Sequence, residues 1–229
     1  MLESLPTVLP RLLQALPATL IYWFVPSVLA LILGTLLCIA RVGRKGVTYW
    51  ACTVVISFFR GTPGIVQLYL VFFGLPKLFA LIGADIEDWQ AGAFFIIATT
   101  LNLSCFVCEA LRGGYLAVDR GQIETGLSLG YNRWQNFVHV IAPQTLRVSL
   151  LNLKNLEIAV MKDTSIAYVI GAACILGTAK TIISAQYGVG QLAILGIAGV
   201  CYFVLCAVLE AAFGAASHRL ARHERKAAA

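Results

Sequence analysis

Charge is what this 229-residue chain has least of. Acidic and basic side chains make up 12% of it, about half the share usual in soluble domains. Hydrophobic residues make up 59%, and the mean hydropathy is +0.84. So little charge cannot cover the surface of a soluble domain this size, which excludes an ordinary cytosolic enzyme and a disordered chain. The seven cysteines, Cys38, Cys52, Cys105, Cys108, Cys174, Cys201 and Cys206, are odd in number and sit in apolar runs. They allow no complete disulfide set, which excludes a secreted disulfide scaffold. Cys105-x-x-Cys108 lacks a second pair and lies in an apolar run, so small core residues are the better reading than a redox or metal pair. His139, His218 and His223 are scattered and suggest no metal site. There is no Gly-x4-Gly-Lys-Ser/Thr loop to cradle nucleotide phosphates, no HExxH, no paired-aspartate metal motif and no nucleophile elbow. Glu3 and Arg11 are the only charges ahead of a run too long for a signal-peptide core.

What remains is long apolar runs. A helix needs about 20 apolar residues to cross ~30 Å of hydrocarbon. Residues 12–40 carry one charge-free stretch with Pro17 near its start, and at 1.5 Å per residue it spans about 43 Å. A second span covers 49–75, interrupted at Arg60-Gly61-Thr62-Pro63-Gly64. A third covers 89–108 and ends at Glu109. A fourth begins near Val148, carries Lys154, Glu157, Lys162 and Asp163, and continues to residue 179. The last covers 189–209. The expected fold is an all-α membrane protein with five transmembrane helices.

The charges that exist are bunched. Arg41, Arg44 and Lys45 follow the first span; Arg112, Arg120, Arg133 and Arg147 follow the third; Arg219, Arg222, Arg225 and Lys226 lie in the tail. Only Arg11, Lys77 and Lys180 fall on the other side. The positive-inside rule then puts the N-terminus outside and the C-terminus in the cytoplasm, as an odd number of spans requires. The same placement accounts for the net charge of +6 without a nucleic-acid partner. Asp85, Glu87 and Asp88 read as a solvated outside loop.

Residues 112–147 are too long for a simple connector. Ile123, Leu127, Trp134, Phe137, Val138 and Ile141 recur at spacings near three and four, the pattern of short amphipathic helices. Gly130 provides a turn between two halves, Asn132 is placed to cap the second, and Pro143 is expected to end it. Gly121-Gln122-Ile123-Glu124-Thr125-Gly126-x3-Gly130, with Ile141-Ala142-Pro143-Gln144 after it, resembles the EAA loop of ABC importer permeases, which reads G-Q-x-E-A-A-x3-G with I-x-L-P-Q near its end. Three further stretches are similar to the polar amino-acid (histidine, glutamine, arginine, opine) class. They are Phe59-Arg60-Gly61-Thr62-Pro63 with Val66-Gln67-Leu68 and Phe73-Gly74-Leu75-Pro76, Glu109-Ala110-Leu111-Arg112-Gly113-Gly114, and Lys162-Asp163-Thr164-Ser165-Ile166.

The resemblance implies one permease domain over 15–217, a cytoplasmic coupling loop over 113–147 within it, and a basic tail over 218–229. It implies partners: two ATP-binding subunits that hold ATP and Mg, a second permease (the same chain or a paralogue), an extracytoplasmic solute-binding protein and the bilayer of a bacterial inner membrane. The chain itself is then neither an enzyme nor a holder of cofactor. Gly121, Glu124, Gly126, Gly130, Trp134 and Phe137 would couple to the ATPase, with Trp134 and Phe137 as apolar anchors. Thr125-Gly126 replaces the usual Ala-Ala, and glycine costs a helix about 1 kcal/mol relative to alanine, so a looser first half is expected. Opines, cystine or another small solute are alternative cargoes on the same architecture; an ion-coupled secondary transporter is a distant alternative, for which no inverted repeat is visible.

Charges at membrane depth cost roughly 2.5–3.5 kcal/mol each. Lys154 and Glu157, at i and i+3, are expected to neutralise one another, and Glu109 and Arg112 to form an ion pair. Lys162-Asp163-Thr164-Ser165 is expected to break or widen its helix, which is tolerated beside protein or a water-filled cavity. Asp163 is the expected acceptor for a substrate ammonium, with Thr164 and Ser165 as donors; Arg60 is either a carboxylate ligand or a tie to a neighbouring span.

Overall fold

A computed structural model describes residues 5–43 and 45–227, with side chains over 6–43 and 45–215. The described residues are helical, with short turns. In order they form α1 (Leu5–Gln14), α2 (Leu16–Val42), α3 (Val47–Gly61), α4 (Gly64–Tyr69), a π turn (Leu70–Gly74), α5 (Leu75–Ala80), α6 (Ala91–Leu116), α7 (Arg120–Ser128), α8 (Arg133–Asn136), a second π turn (Phe137–Ile141), α9 (Ala142–Asp163), a 3-10 segment (Thr164–Ile170), α10 (Ile175–Ala185) and α11 (Gln191–Ala227). Three helices are long and apolar enough to cross a membrane, and five spans result if each of two bent pairs counts as one. Arg44 and the side chains of Arg219, Arg222, Arg225 and Lys226 lie outside the described residues.

The first and third spans run longer than their apolar cores. Pro17 falls in the first turn of α2, where its missing N–H has no intrahelical use. α6 continues two turns past Glu109, which is therefore an interior residue and not a terminus. α1 also belongs to the bundle: Val8 and Leu12 are fully buried against Ile175, Ile182 and Ile194 of α10 and α11. The folded unit thus begins ahead of residue 15.

The second span is broken. α3 and the α4–α5 helix meet at 111° across Gly61–Gly64, because Pro63, with extended backbone, starts a new helix there. Backbone carbonyls freed at a break need partners where water is absent. Gln67 supplies them. Its Nε2 donates to the carbonyls of Phe59 (2.7 Å) and Thr62 (3.0 Å), and its Oε1 accepts from Asn102 Nδ2 of α6 (2.8 Å). α3 packs beside Cys105 and Leu103 of α6, α4 and α5 beside Phe94 and Phe95.

The fourth span departs from expectation at both ends. Pro143 does not terminate a helix. α8 runs through the π turn into α9 as one rod, and the wider i to i+5 turn just ahead of Pro143 absorbs its missing N–H. At the far end the polar run tightens the helix to a 3-10 turn but does not break it: the helix continues to Ile170, and the 44° bend falls between Ile170 and Ile175. Gly171, at φ +78°, closes that segment: the Ala172 N–H bonds the Ala167 carbonyl and the Gly171 N–H the Tyr168 carbonyl, a left-handed stop that favours glycine.

Helices approach most closely at small residues. A Cβ on Gly34 of α2 would lie 2.7 Å from the Ser104 carbonyl of α6, and one on Gly114 would lie 2.2 Å from Ser149 Oγ of α9. Ser149 in turn donates to the Ala110 carbonyl at 2.9 Å. Small contacts of this kind hold helices together where lipid offers no hydrophobic drive between them.

Replacing Gln67 by Leu should strand the carbonyls at the break. Unsatisfied buried groups cost about 1–3 kcal/mol each, so thermal unfolding in detergent should fall by several degrees. Unchanged melting would show that the break is satisfied without Gln67.

Candidate functional site

Two regions gather polar or exposed groups that packing does not explain. The first is the elbow between α6 and α9. Asp119 caps α7 by accepting from the Gly121 N–H (2.6 Å). α7 ends where the Tyr131 N–H bonds the Gly126 carbonyl and the Gly130 N–H bonds the Leu127 carbonyl, with Gly130 at φ +90°; a left-handed residue is required at that position. Asn132 then caps α8 with a reciprocal box: its Oδ1 accepts from the Gln135 N–H, and its N–H donates to Gln135 Oε1, both at 2.9 Å. Gln144 of α9 hydrogen-bonds Gln122 of α7, which joins the two ends of the elbow.

The elbow turns apolar groups outward. Trp134 is 71% exposed and Leu129 73%. Leu127 and Tyr131 are exposed as well. Trp134 and Phe137 stack with centroids 5.9 Å apart, but Phe137 also borders an apolar cleft of about 530 Å³ with Leu31, Cys38 and Leu111. Phe137 therefore faces its own bundle in part, and Leu129 joins Trp134 as an outward group that the spacing argument passed over. Glu124 is exposed and forms no ion pair among the described residues. Gly121 is exposed; Gly126 is buried against Asn136.

The second region is the pair of broken spans. Asp163, at the end of α9, borders a small cavity of about 50 Å³ with Gly64, Thr99, Asn102 and Ile166. The first helix break, at Gly64, thus meets the end of α9 beside α6. Thr164 is fully buried and its hydroxyl donates to the Met161 carbonyl (2.7 Å), so it is not free to donate elsewhere. Ser165 is half-buried, and its carbonyl accepts from Cys174 Sγ. Arg60 does not line this cavity. Its guanidinium lies 3.9 Å from Glu109 and 5.7 Å over the Phe106 ring, at a cleft of about 450 Å³ that includes Asn152 and Asn155.

Glu109 is the centre of a charge cluster. It pairs with Arg41 of α2, with Arg112 at 3.6 Å and with Arg60 of α3. The Glu109–Arg112 pair is present, but Arg41 is the partner that spacing within one helix could not show. Lys154 and Glu157 do not neutralise each other. Lys154 pairs with Glu210 of α11 at 3.1 Å, and Glu157 accepts from Ser27 of α2 at 2.6 Å. α9 lies between α2 and α11, and its two charged side chains turn to opposite neighbours.

A helical bundle with two bent spans, polar groups gathered at their breaks and an amphipathic elbow at one end defines a multi-pass membrane transport protein. Residues 27–222 match the family described as binding-protein-dependent transport system inner membrane component, and the chain belongs to that family. It is 30% identical to the L-cystine transport system permease protein TcyL of Bacillus subtilis (strain 168), over 95% of this chain and 90% of that protein. It is 36% identical to the probable amino-acid ABC transporter permease protein PatM of Vibrio harveyi, over 78% of each. With the arginine transport system permease protein ArtQ of Bacillus subtilis (strain 168) it shares 32% over 88% of each. Among solved structures it is similar to a chain of an amino acid ABC transporter crystallised with histidines. That match has a TM-score of 0.82 and 27% identity, and covers 95% of this chain and 97% of that one. An inward-facing MetNI methionine ABC transporter shares the fold, with a TM-score of 0.68 and 19% identity over 95% of this chain and 98% of that one.

Glu109→Gln leaves three guanidinium groups without their shared counter-charge. Losing the charged acceptor of this partly buried cluster should cost about 1.5–3 kcal/mol, whereas loss of the exposed Glu210 should cost under about 1 kcal/mol. Thermal melts of the two variants should separate clearly; equal melts would mean that the arginines are solvated.

Proposed function

We propose that this chain is the membrane-spanning permease subunit of a bacterial inner-membrane importer for polar amino acids, worked by ATP hydrolysis on two separate subunits. The observation that carries this reading is similarity over nearly the whole chain to amino-acid permeases and to a chain of an amino acid transporter. A second permease, either this chain or a paralogue, completes the path, and a solute-binding protein delivers cargo from outside. ATP and Mg belong to the ATP-binding subunits.

The N-terminus lies outside and the elbow and C-terminus lie in the cytoplasm, following the bias of basic residues. The meeting of Arg41, at the end of α2, with Glu109 and Arg112, near the end of α6, supports this, since both helices end on the side of the elbow.

The elbow docks into a cleft on the ATPase. Trp134 and Leu129 supply apolar anchors, as large aromatics do at interface hot spots, and Glu124 offers its exposed carboxylate to a basic residue there. α8 and α9 form one rod that continues to Ile170, so a push on Trp134 is carried along it to Asp163. Asp163, with Asn102 and Thr99, receives the ammonium of the amino acid, while Arg60, engaged by Glu109 and the Phe106 ring at a separate cleft, ties α3 to α6. Thr164 contributes by holding the 3-10 turn rather than by touching cargo. The cavity beside Asp163 has room for only a few waters and must widen for an amino acid to pass. This fits a gate that opens only when the rod moves.

Proteoliposomes containing this chain, its ATPase and its binding protein should take up labelled substrate only with ATP. A panel of L-arginine, L-glutamine, L-cystine and octopine identifies the cargo, and uptake by this chain alone without ATP rejects the reading. Trp134→Ala should weaken ATPase binding about 30-fold, the equivalent of ~2 kcal/mol. Asp163→Asn should lower uptake more than it lowers the amount of assembled complex; a parallel fall would make Asp163 structural.

A further inference from the structure

Gly126 occupies the place where the EAA-type loop usually has its second alanine, and on helix propensity alone it should loosen α7. Its surroundings point the other way. Gly126 is buried at the contact of α7 with α8, and a Cβ built there would lie 2.3 Å from Asn136 Oδ1 and 3.0 Å from Asn136 Cγ. The third-nearest atom, at 3.5 Å, is Asn136 Nδ2. Everything that forbids a side chain at 126 is therefore the amide of a single residue. That amide is 2% exposed and its orientation is fixed, because Nδ2 donates to the Ile123 carbonyl of α7 at 2.8 Å. Oδ1 turns toward Gly126 and finds no donor. An unpaired buried amide oxygen is costly, so the site holds its shape at some expense of stability.

Asn136 ends α8 and stands at the start of the π turn on the continuous rod that leads through α9. The amide is thus a peg from the rod set into a notch in α7. We propose that the Gly126–Asn136 peg and notch is the positioning device that makes α7 move with the α8–α9 rod, so that the exposed groups of both short helices act on the ATPase as one body. The inference rests on the permease reading and adds a pair of residues that touch neither ATPase nor cargo. It also reverses the meaning of the glycine: its role is fit at a joint, and flexibility does not enter.

The test uses the full complex in proteoliposomes, with whichever of labelled L-arginine or L-cystine the uptake panel selects. The readout is amino acid taken up per ATP hydrolysed, normalised to assembled complex. Gly126→Ala should lower that ratio at least about tenfold, because the new methyl displaces the amide. Asn136→Ala should lower it several-fold, through loss of the Ile123 bond. The double variant should return to the level of Asn136→Ala alone, since no atom of the amide is left to clash. If Gly126→Ala fails to assemble, assembly restored in the double variant supports the device equally. A wild-type ratio in Gly126→Ala overturns it, and so does a double variant as impaired as both losses combined or one that fails to assemble. Trp134→Ala separates the two readings: if it uncouples while Gly126→Ala is silent, only the peg falls, whereas silence in both removes the coupling role of the elbow.

Discussion

A hydrocarbon surrounding accepts no unpaired backbone group, and the two places where this chain breaks its helices depend on how that demand is met. At the first break the Gln67 side chain takes over two carbonyls that Pro63 released, then hands its own oxygen to Asn102 of α6. At the second, the Gly171 turn closes the 3-10 segment with its own backbone bonds, and the Ile175 N–H that opens α10 donates to Thr19 Oγ1 of α2. The Thr19 hydroxyl itself donates to the Ala15 carbonyl. Each repair reaches across to another helix, so the irregular backbone and the packing of the bundle are one arrangement. A polar region at membrane depth exists only because neighbouring helices complete it.

The same logic governs charge. Glu109 holds Arg41, Arg60 and Arg112 at the junction of three helices, while Lys154 and Glu157 turn from one another toward α11 and α2. Ion pairs tie helices together at the sides of the bundle, and glycine and serine let α2, α6 and α9 touch at its centre. The α8–α9 rod lies within this frame, begins beside an exposed tryptophan and passes Asp163 before it ends at Ile170.

Much of this was legible in the sequence. The long apolar runs locate the spans and Gly61-Thr62-Pro63 marks the first break, whereas Lys162–Ser165 only tightens its helix and the second break lies beyond it, at Gly171. The turn at Gly130 and the cap at Asn132 follow from local chemistry and are present as read. What failed depended on distant residues. Pro143 reads as a helix end because a sequence does not reveal that a π turn lies ahead of it. Lys154 and Glu157 read as partners because i and i+3 is the only relation a single helix offers, and Glu210 and Ser27 are brought in by tertiary packing. Thr164 reads as a donor, whereas burial turns its hydroxyl back onto Met161. Gln67 and Asn102 lay within the quoted or apolar stretches, but their role depends on a bend of known angle. Gly126 reads as a weakness until the residue opposite it is known.

The pairing of Lys154 with Glu210 bears on how such a protein is made. The two residues are 56 positions apart, so when the translocon receives α9 its cationic side chain has no mate yet synthesised. With Glu157, Lys162 and Asp163 also aboard, this segment partitions poorly into lipid by itself. Its tie to α11 forms only after that helix has been made.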